Sequence, residues 1–303
     1  MSLRKFMDWC ISDRGRLVAS YVATGSIACV GMGHFLPQTV FIEYYVDFLQ
    51  RYNKGLSVPV SAVTKEKFEK VLDMLQIPSE KKPLFRPFNV IGFDVRSIGT
   101  SFSKWGVRVG IPGNFDFKRE IDIDTSRIKL GGENLVWGTE AGKKLLKSFV
   151  ISENAQYYAI AKEIKMRDTP KFLIDTITGI SSALATYALA NSLNKKFNFY
   201  VKPFLFRAAL YTLVCSFTLG NYFLIKDLSQ VYYEQSIDKE IKEKYPILAE
   251  GAKEYYTKLL LRNMCLRIIL EKDGEKLYSP LGNINYFIRT KSTPLMQRRE
   301  FFD

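Results

Sequence analysis

Three long windows without a charged side chain constrain the fold of this chain more than any other feature. They run from Leu17 to Ile42, from Thr176 to Asn194 and from Ala208 to Ile225. A helix needs about 20 apolar residues to cross the roughly 30 Å hydrocarbon core of a bilayer, and each window is long enough. Pro37 is expected to end the first helix. The windows therefore predict three transmembrane helices, called here the first, second and third spans, at residues 17–37, 172–194 and 208–226.

Buried helices of a soluble protein are the alternative interpretation of any one window, but three such windows together favour a membrane protein. The composition, 47% hydrophobic and 25% charged, is ordinary for a globular chain, so the charge must be concentrated outside the windows. We therefore expect an α+β membrane protein with one N-terminal span and a central hairpin of two more. The other segments are a basic leader (1–16), a soluble α+β lobe (38–171), a basic hairpin loop (195–207) and a C-terminal helical segment with an ordered loop (227–303).

The sequence of the lobe changes period along its length. A helix is predicted after Pro37 as far as Gly55, and another begins at Ser61 or Thr64, either of which can cap it. Alternating apolar and polar residues then predict a sheet of three to five strands, including EIDIDTSRIKL at 120–130. Helices follow in TEAGKKLLKSF, after Ser152, and from Glu250 to Leu270; beyond them, Asp273-Gly274 is expected to form a turn.

Small side chains recur at helical spacing in the first two spans. Because lipid provides no hydrophobic drive between helices, spans associate through close backbone approach and polar contacts. We therefore expect these residues to pack against helices, either within the chain or on another membrane protein. The candidates are Ser20, Thr24 and Ala28, with a second row of Gly25, Cys29 and Gly33, in the first span, and Ser182, Thr186 and Ala190, with Gly179 and Ala183, in the second.

The loop between the second and third spans is basic and aromatic, which is typical of a membrane–water interface. The leader is also basic, so the positive-inside rule places both on the matrix-like or cytoplasm-like side and the lobe and C-terminus on the other. Anionic lipid headgroups are the expected partners of the loop cations, although these could equally serve to mark topology alone. The headgroup candidates are Lys195, Lys196, Lys202 and Arg207.

Catalytic and metal-binding patterns are scarce. The chain has one histidine, His34, expected at headgroup level with no special function, and four cysteines without a CxxC pair, so no metal or cofactor site is expected. The segment Lys162–Met166 overlays the zincin pattern H-E-x-x-H but keeps only Glu163, which we expect to be a surface carboxylate near Lys162 and Lys165.

The net charge of +13 is dispersed along the chain, which argues against a protein that binds nucleic acid. A degenerate zincin-like or unrecognised membrane enzyme that uses residues 85–170 remains the alternative to a non-catalytic protein.

The C-terminal stretch YYTKLLLRNMCLRIILEKDGEKLYSPLGN closely resembles the signature of the transmembrane protein 177 family of mitochondrial inner-membrane proteins. The segment VGIPGNF at 109–115, Trp137 with Gly142, and the helix SENAQYYAIAKEI resemble the central block of that family in the same order. The most specific residues of the signature are Asp273, Gly274, Glu275, Lys276, Leu277, Tyr278, Pro280, Gly282 and Asn283.

The resemblance implies a role without catalysis. Members of this family act in early maturation of cytochrome c oxidase subunit II, where they stabilise the newly made subunit and its dedicated membrane chaperone. The expected location is the mitochondrial inner membrane, with the N-terminus and hairpin loop in the matrix and the lobe in the intermembrane space. The expected partners are therefore subunit II, its chaperone and membrane lipid.

Overall fold

The computed structural model describes residues 9–130 and 133–303, so the first half of the predicted basic leader lies outside the described residues. The chain divides into two compact units. The first, here the membrane unit, comprises the chain up to Pro37 together with Pro170–Ser229. The second, here the lobe, comprises Gln38–Thr169 and Gln230–Asp303.

Helices and strands follow one another in a mixed order. The helices are α1 (Asp13–Phe35), α2 (Ile42–Leu49), α3 (Ala62–Met74), α4 (Glu140–Phe149), α5 (Glu153–Arg167), α6 (Lys171–Lys196), α7 (Phe204–Lys244), α8 (Pro246–Ile269), α9 (Glu271–Leu277) and α10 (Leu295–Phe301). The strands are β1 (Tyr52–Asn53), β2 (Leu56–Ser57), β3 (Phe85–Val90), β4 (Arg96–Gly99), β5 (Val107–Pro112), β6 (Lys129–Leu130) and β7 (Glu133–Asn134).

The three predicted spans are confirmed, since three helices among the described residues are long and apolar enough to cross a bilayer. They are α1 as far as Gln38, α6, and the first part of α7. Ser12 caps α1 by accepting a hydrogen bond from the Gly15 amide. Helix α7 continues past the third span into a charged segment because no proline interrupts the chain before Pro246.

A three-stranded mixed sheet lies at the centre of the lobe. Its order is β3-β5-β4, with β3 parallel and β4 antiparallel to β5. All six residues of the central strand β5 are buried, including Arg108, whose guanidinium donates to the Glu43 carboxylate of α2 at 2.6 Å. Helices α5 and α8 pack closely at Gly251, where an added Cβ would lie 2.1 Å from the Asn154 carbonyl oxygen.

Predicted helix starts in the lobe are confirmed, with the caps in place. The side chains of Ser61, Thr139 and Ser152 each accept a hydrogen bond from the amide three residues ahead, at the starts of α3, α4 and α5. Such caps satisfy amides that have no partner within their own helix. Of the two cap candidates for α3, the structure selects Ser61.

The predicted helix from Pro37 to Gly55 is wrong in its second half. Helix α2 ends at Leu49, and β1 and β2 form a small hairpin after it. Lys54 and Gly55 occupy its turn with φ of 51° and 83°. Positive φ is costly in a helix or strand but suits a two-residue hairpin turn, so the Asn-Lys-Gly sequence ends the helix early.

Two further local predictions are corrected. EIDIDTSRIKL forms short 3₁₀ turns, with a strand only at its end, because the Asp122 carboxylate accepts hydrogen bonds from the Lys118 and Arg119 amides. Side chains that capture nearby amides compete with the ladder of a strand. Asp273-Gly274 lies inside helix α9 instead of forming a turn.

A buried ion pair fixes the C-terminal helix α10 in the lobe. Arg298 donates to both carboxylate oxygens of Asp238 on α7, at 2.6 and 2.8 Å, and both side chains are about 95% buried or more. Tyr158 on α5 also donates to Asp238, at 2.6 Å, and lies 2.6 Å from the hydroxyl of Tyr256 on α8. Because the Tyr158 proton points to Asp238, Tyr256 must donate to Tyr158. Four helices therefore meet at one satisfied polar network.

We predict that Arg298→Met lowers the free energy of unfolding of the lobe by about 3–5 kcal/mol, because it leaves Asp238 buried without its cation. Lys253→Met is the matched control, since its pair with Asp303 is exposed and is expected to contribute little to stability. Denaturant unfolding of the purified full chain measures both. Equal losses for the two variants would contradict the importance of the buried pair.

Candidate helix-packing and lipid-facing site

The small residues of the second span face the third span through hydroxyl groups. Ser182 Oγ donates to the Thr218 carbonyl oxygen at 3.0 Å, and the hydroxyls of Thr186 and Thr218 lie 2.6 Å apart. Thr218 is 4% exposed. In lipid, such contacts join helices that apolar side chains alone would not hold together. The second-span candidates Ser182 and Thr186 thus lie at an interface within the chain.

The second span contacts the first span through glycines. An added Cβ at Gly179 would lie 3.0 Å from His34 Nε2 and 3.4 Å from Val30, and one at Gly31 would lie 3.1 Å from Ile180. These positions allow the two backbones to approach closely. His34 Nε2 is also 3.1 Å from the Tyr222 hydroxyl of the third span, so the imidazole, expected to have no special function, contacts both other spans.

The predicted stripes of the first span point away from these contacts. Thr24 and Ala28 are exposed and Ser20 is half-buried, and the Thr24 hydroxyl donates to the Ser20 carbonyl within its own helix. An added Cβ at Gly25 or Gly33 would meet no described atom within 4 Å. The face of α1 that meets the other spans carries Ala23, Ile27, Val30 and His34. The pattern of small residues does not identify this face, because Ile27, Val30 and His34 have larger side chains.

A groove of about 620 Å³ runs between the three spans. Ala183 and Ala190 of the second span lie along it, together with Thr186 and Gly179. The small size of these side chains leaves the groove open, because larger ones would fill it. The small side chains of the second span therefore have two effects. They allow contact with the third span, and they leave the groove open beside that contact. The remaining walls include Ile27 of the first span and Tyr211, Cys215 and Leu219 of the third.

The loop cations fall into two groups. Lys195, Lys196 and Lys202 are exposed, as a headgroup contact requires. Arg207 is only 5% exposed, unlike the three lysines, and its contact with a headgroup stays a prediction. Arg207 lies in the first turn of α7, one turn before Tyr211, and its side chain is buried. Its guanidinium lies 5.7 Å from the centre of the Phe204 ring.

Residues of the C-terminal signature build a tight turn against α8. Gly282 has φ of 83°, and an added Cβ would lie 2.4 Å from the Leu260 carbonyl oxygen. Asn263 donates to the Gly282 carbonyl at 2.7 Å, and the Asn283 side chain accepts from the Met296 amide at 2.9 Å. Gly274 approaches the Arg267 backbone as closely, and Arg267 donates to the Tyr278 carbonyl. These signature residues therefore contribute to the packing of the C-terminal segment within the lobe.

Its other members lie around that turn. Glu275 pairs with Arg267 at 3.2 Å, and Lys276 pairs with Asp273 at 2.8 Å on the exposed side of α9. Such exposed pairs contribute little to stability. Leu277 is exposed, and Pro280 lies in the turn that closes between Ser279 and Gly282.

The expectation that Glu163 is a solvated surface carboxylate is wrong. Its side chain is 17% exposed and accepts a hydrogen bond from Ser97 Oγ at 2.6 Å. Lys162 Nζ lies 3.7 Å away, whereas Lys165 pairs with Glu240 instead. Arg167 donates to the same Ser97 hydroxyl at 2.8 Å, so the carboxylate belongs to a network that joins α5 to strand β4. Across residues 9–130 and 133–303, no three His, Cys, Asp or Glu side chains are grouped as a metal site would need.

Comparison with known proteins gives a consistent family. The model of the family described as transmembrane protein 177 matches residues 103–300. The chain is 26% identical to transmembrane protein 177 of Xenopus laevis, over 98% of this chain and 95% of that protein. It is 28% identical to the proteins of the same name from Homo sapiens and Rattus norvegicus, over 90% of this chain and 88% of each relative. No solved structure is significantly similar to it.

We predict that Gly179→Leu lowers the midpoint of thermal unfolding of the membrane unit, because its side chain would collide with His34 and Val30. Overpacking of this kind typically costs about 1–3 kcal/mol. Gly25→Leu places the same side chain on the first span in open space and is expected to leave the midpoint unchanged. Thermal unfolding of both purified variants in detergent is the measurement. A Gly179→Leu midpoint equal to that of Gly25→Leu would show that the spans do not pack as described.

Proposed function

The chain belongs to the transmembrane protein 177 family, and from this premise we propose that it is a non-catalytic assembly factor of the mitochondrial inner membrane. In this role it stabilises newly made cytochrome c oxidase subunit II and the dedicated membrane chaperone of that subunit during early maturation. The chain itself is a multi-pass membrane protein with three candidate spans. Binding membrane helices of a client requires no cofactor, metal or nucleic acid.

The outward face of the first span is the observation that best supports this proposal. Gly25 and Gly33 have open space around them, and Thr24 and Ala28 beside them are exposed. A face of small side chains allows the backbone of another helix to approach closely, which is how helices associate in lipid. The second span uses its small residues within the chain, and so the first span is the better candidate for a client helix.

The proposed orientation follows from charge. The leader and the loop at 195–207 are basic and would lie in the matrix. The lobe and the C-terminus would then lie in the intermembrane space. This orientation places the basic residues on the side where positively charged loops accumulate.

We predict that Gly25→Leu reduces co-purification of subunit II and its chaperone about tenfold, since a leucine at this position prevents close approach of a client helix. Quantitative mass spectrometry of the tagged protein from solubilised mitochondria measures the recovery. Tenfold corresponds to about 1.4 kcal/mol, a moderate loss for one helix contact. The protein level is expected to stay normal, because nothing in the described structure lies within 4 Å of that position.

Gly220→Leu on the third span is the matched control. An added Cβ there also meets no described atom within 4 Å, so the variant has the same increase in bulk at an open site on a different helix. It is expected to retain both partners. Normal recovery with Gly25→Leu, or an equal loss with Gly220→Leu, would contradict a client site on the first span.

The alternative, an unrecognised enzyme that uses the lobe, rests on Glu163. Its half-buried carboxylate, hydrogen-bonded by Ser97, is the one feature that favours it. Glu163→Gln keeps the shape and still accepts that hydrogen bond but cannot act as a base. We predict that cells carrying Glu163→Gln at normal protein level assemble cytochrome c oxidase at the wild-type rate. Complete loss of assembly at normal protein level would instead support the enzyme.

A further inference from the structure

We propose that the membrane unit binds one anionic phospholipid, with the phosphate at its basic end and one acyl chain in the groove between the three spans. This inference goes beyond the proposed assembly role, because it concerns the purified chain and a lipid, without a client protein.

The first argument is a buried cation that has no anionic partner among the described residues. Arg207 is 5% exposed, and its Nε has no hydrogen-bond partner among the described residues. Its contact with the Phe204 ring is a cation–π contact at 5.7 Å, which does not replace a counter-charge. A buried charge is strongly unfavourable unless it is paired. The unpaired guanidinium therefore calls for an anion at this point of the membrane unit.

The second argument is the charge of the surroundings. Arg16 lies with its guanidinium 4.4 Å from the centre of the Tyr200 ring, and Lys195, Lys196 and Lys202 belong to the same end of the helices. The chain has no acidic residue between 193 and 207, and Asp13 is the acid nearest to Arg16 in sequence. This excess of positive charge is complementary to an anionic headgroup, which attracts basic residues close to the membrane surface.

The third argument is that the basic end is continuous with the groove. Tyr200, which lies beneath Arg16, donates to the Asn191 side chain of the second span at 3.3 Å. One turn further along that span, Asn194 donates to the Tyr211 hydroxyl at 2.8 Å. Tyr211 lines the groove and follows Arg207 by one turn of α7, so this cluster connects both arginines to the mouth of the groove. A phosphate held there would direct its acyl chain inward.

The length and the charge of the groove select the occupant. From Ala190 to Gly179 it follows the second span for roughly 16 Å, about half of the hydrocarbon thickness, which is the depth of one leaflet. An acyl chain of one leaflet matches that length and is joined to a headgroup whose negative charge suits the cations at the mouth of the groove. An apolar partner helix would leave those cations without an anion. The walls are apolar side chains such as Ile27, Ala183 and Leu219.

Native mass spectrometry of the purified full chain tests the proposal. The protein is mixed with equal amounts of phosphatidylglycerol and phosphatidylcholine that carry the same acyl chains. The wild type is expected to retain phosphatidylglycerol about tenfold more than phosphatidylcholine, as one charge-assisted contact to phosphate allows. Arg207→Gln is expected to remove that preference. Lys226→Gln, at the far end of the third span, is the charge-matched control and is expected to keep it.

The acyl chain is tested separately. Ala183→Phe fills the groove and is expected to lower retention of both lipids about tenfold, whereas Leu213→Phe adds bulk at a position that is 69% exposed and should change neither. If Arg207→Gln shifts thermal unfolding, Arg16→Gln serves instead, because Arg16 is exposed. Equal retention of the two lipids by the wild type would overturn the proposal. Full retention of both lipids by Ala183→Phe would overturn it as well.

Discussion

Hydroxyl contacts between the second and third spans are the interaction on which the membrane unit depends. Lipid tails are as apolar as leucine, so burial of apolar side chains does not hold two helices together there. Ser182 and Thr186 instead reach Thr218 across the interface, and Gly179 lets the first span approach from another side. The abundance of Ser, Thr and Ala between residues 176 and 194 follows from this requirement. The same small side chains leave the groove open.

The lobe uses the opposite strategy, since water outside it drives apolar burial. Its core forms between the sheet and helices α5 and α8, and the last helix is fixed by the pair of Arg298 with Asp238. That pair joins the C-terminal end of the chain to the charged part of α7. The signature turn at Gly282 also fixes the C-terminal segment in the lobe, because it brings the chain back over α8. Both features stabilise the packing of the lobe.

Elements set by local chemistry were predictable from the sequence, and elements set by tertiary contacts were not. Uncharged length revealed the spans, and hydroxyl caps revealed the starts of α3 and α5. EIDID appeared to be a strand because its period is two, yet Asp122 binds amides of its own turn. The inward turn of Arg207 could not be read from the sequence, because a basic residue beside a span is usually exposed. Likewise, small-residue spacing marked two faces of the first span but could not tell which face meets the neighbouring helices.

The packing of the three spans, the client site and the lipid site all rest on the assumption that the spans lie within a bilayer. Extraction with alkaline carbonate of membranes from cells that express the chain tests that assumption most directly, because it strips peripheral proteins and leaves proteins with spanning helices behind. The account predicts that the full chain stays in the membrane pellet together with an integral marker protein. Its release into the supernatant with a peripheral marker would contradict the account.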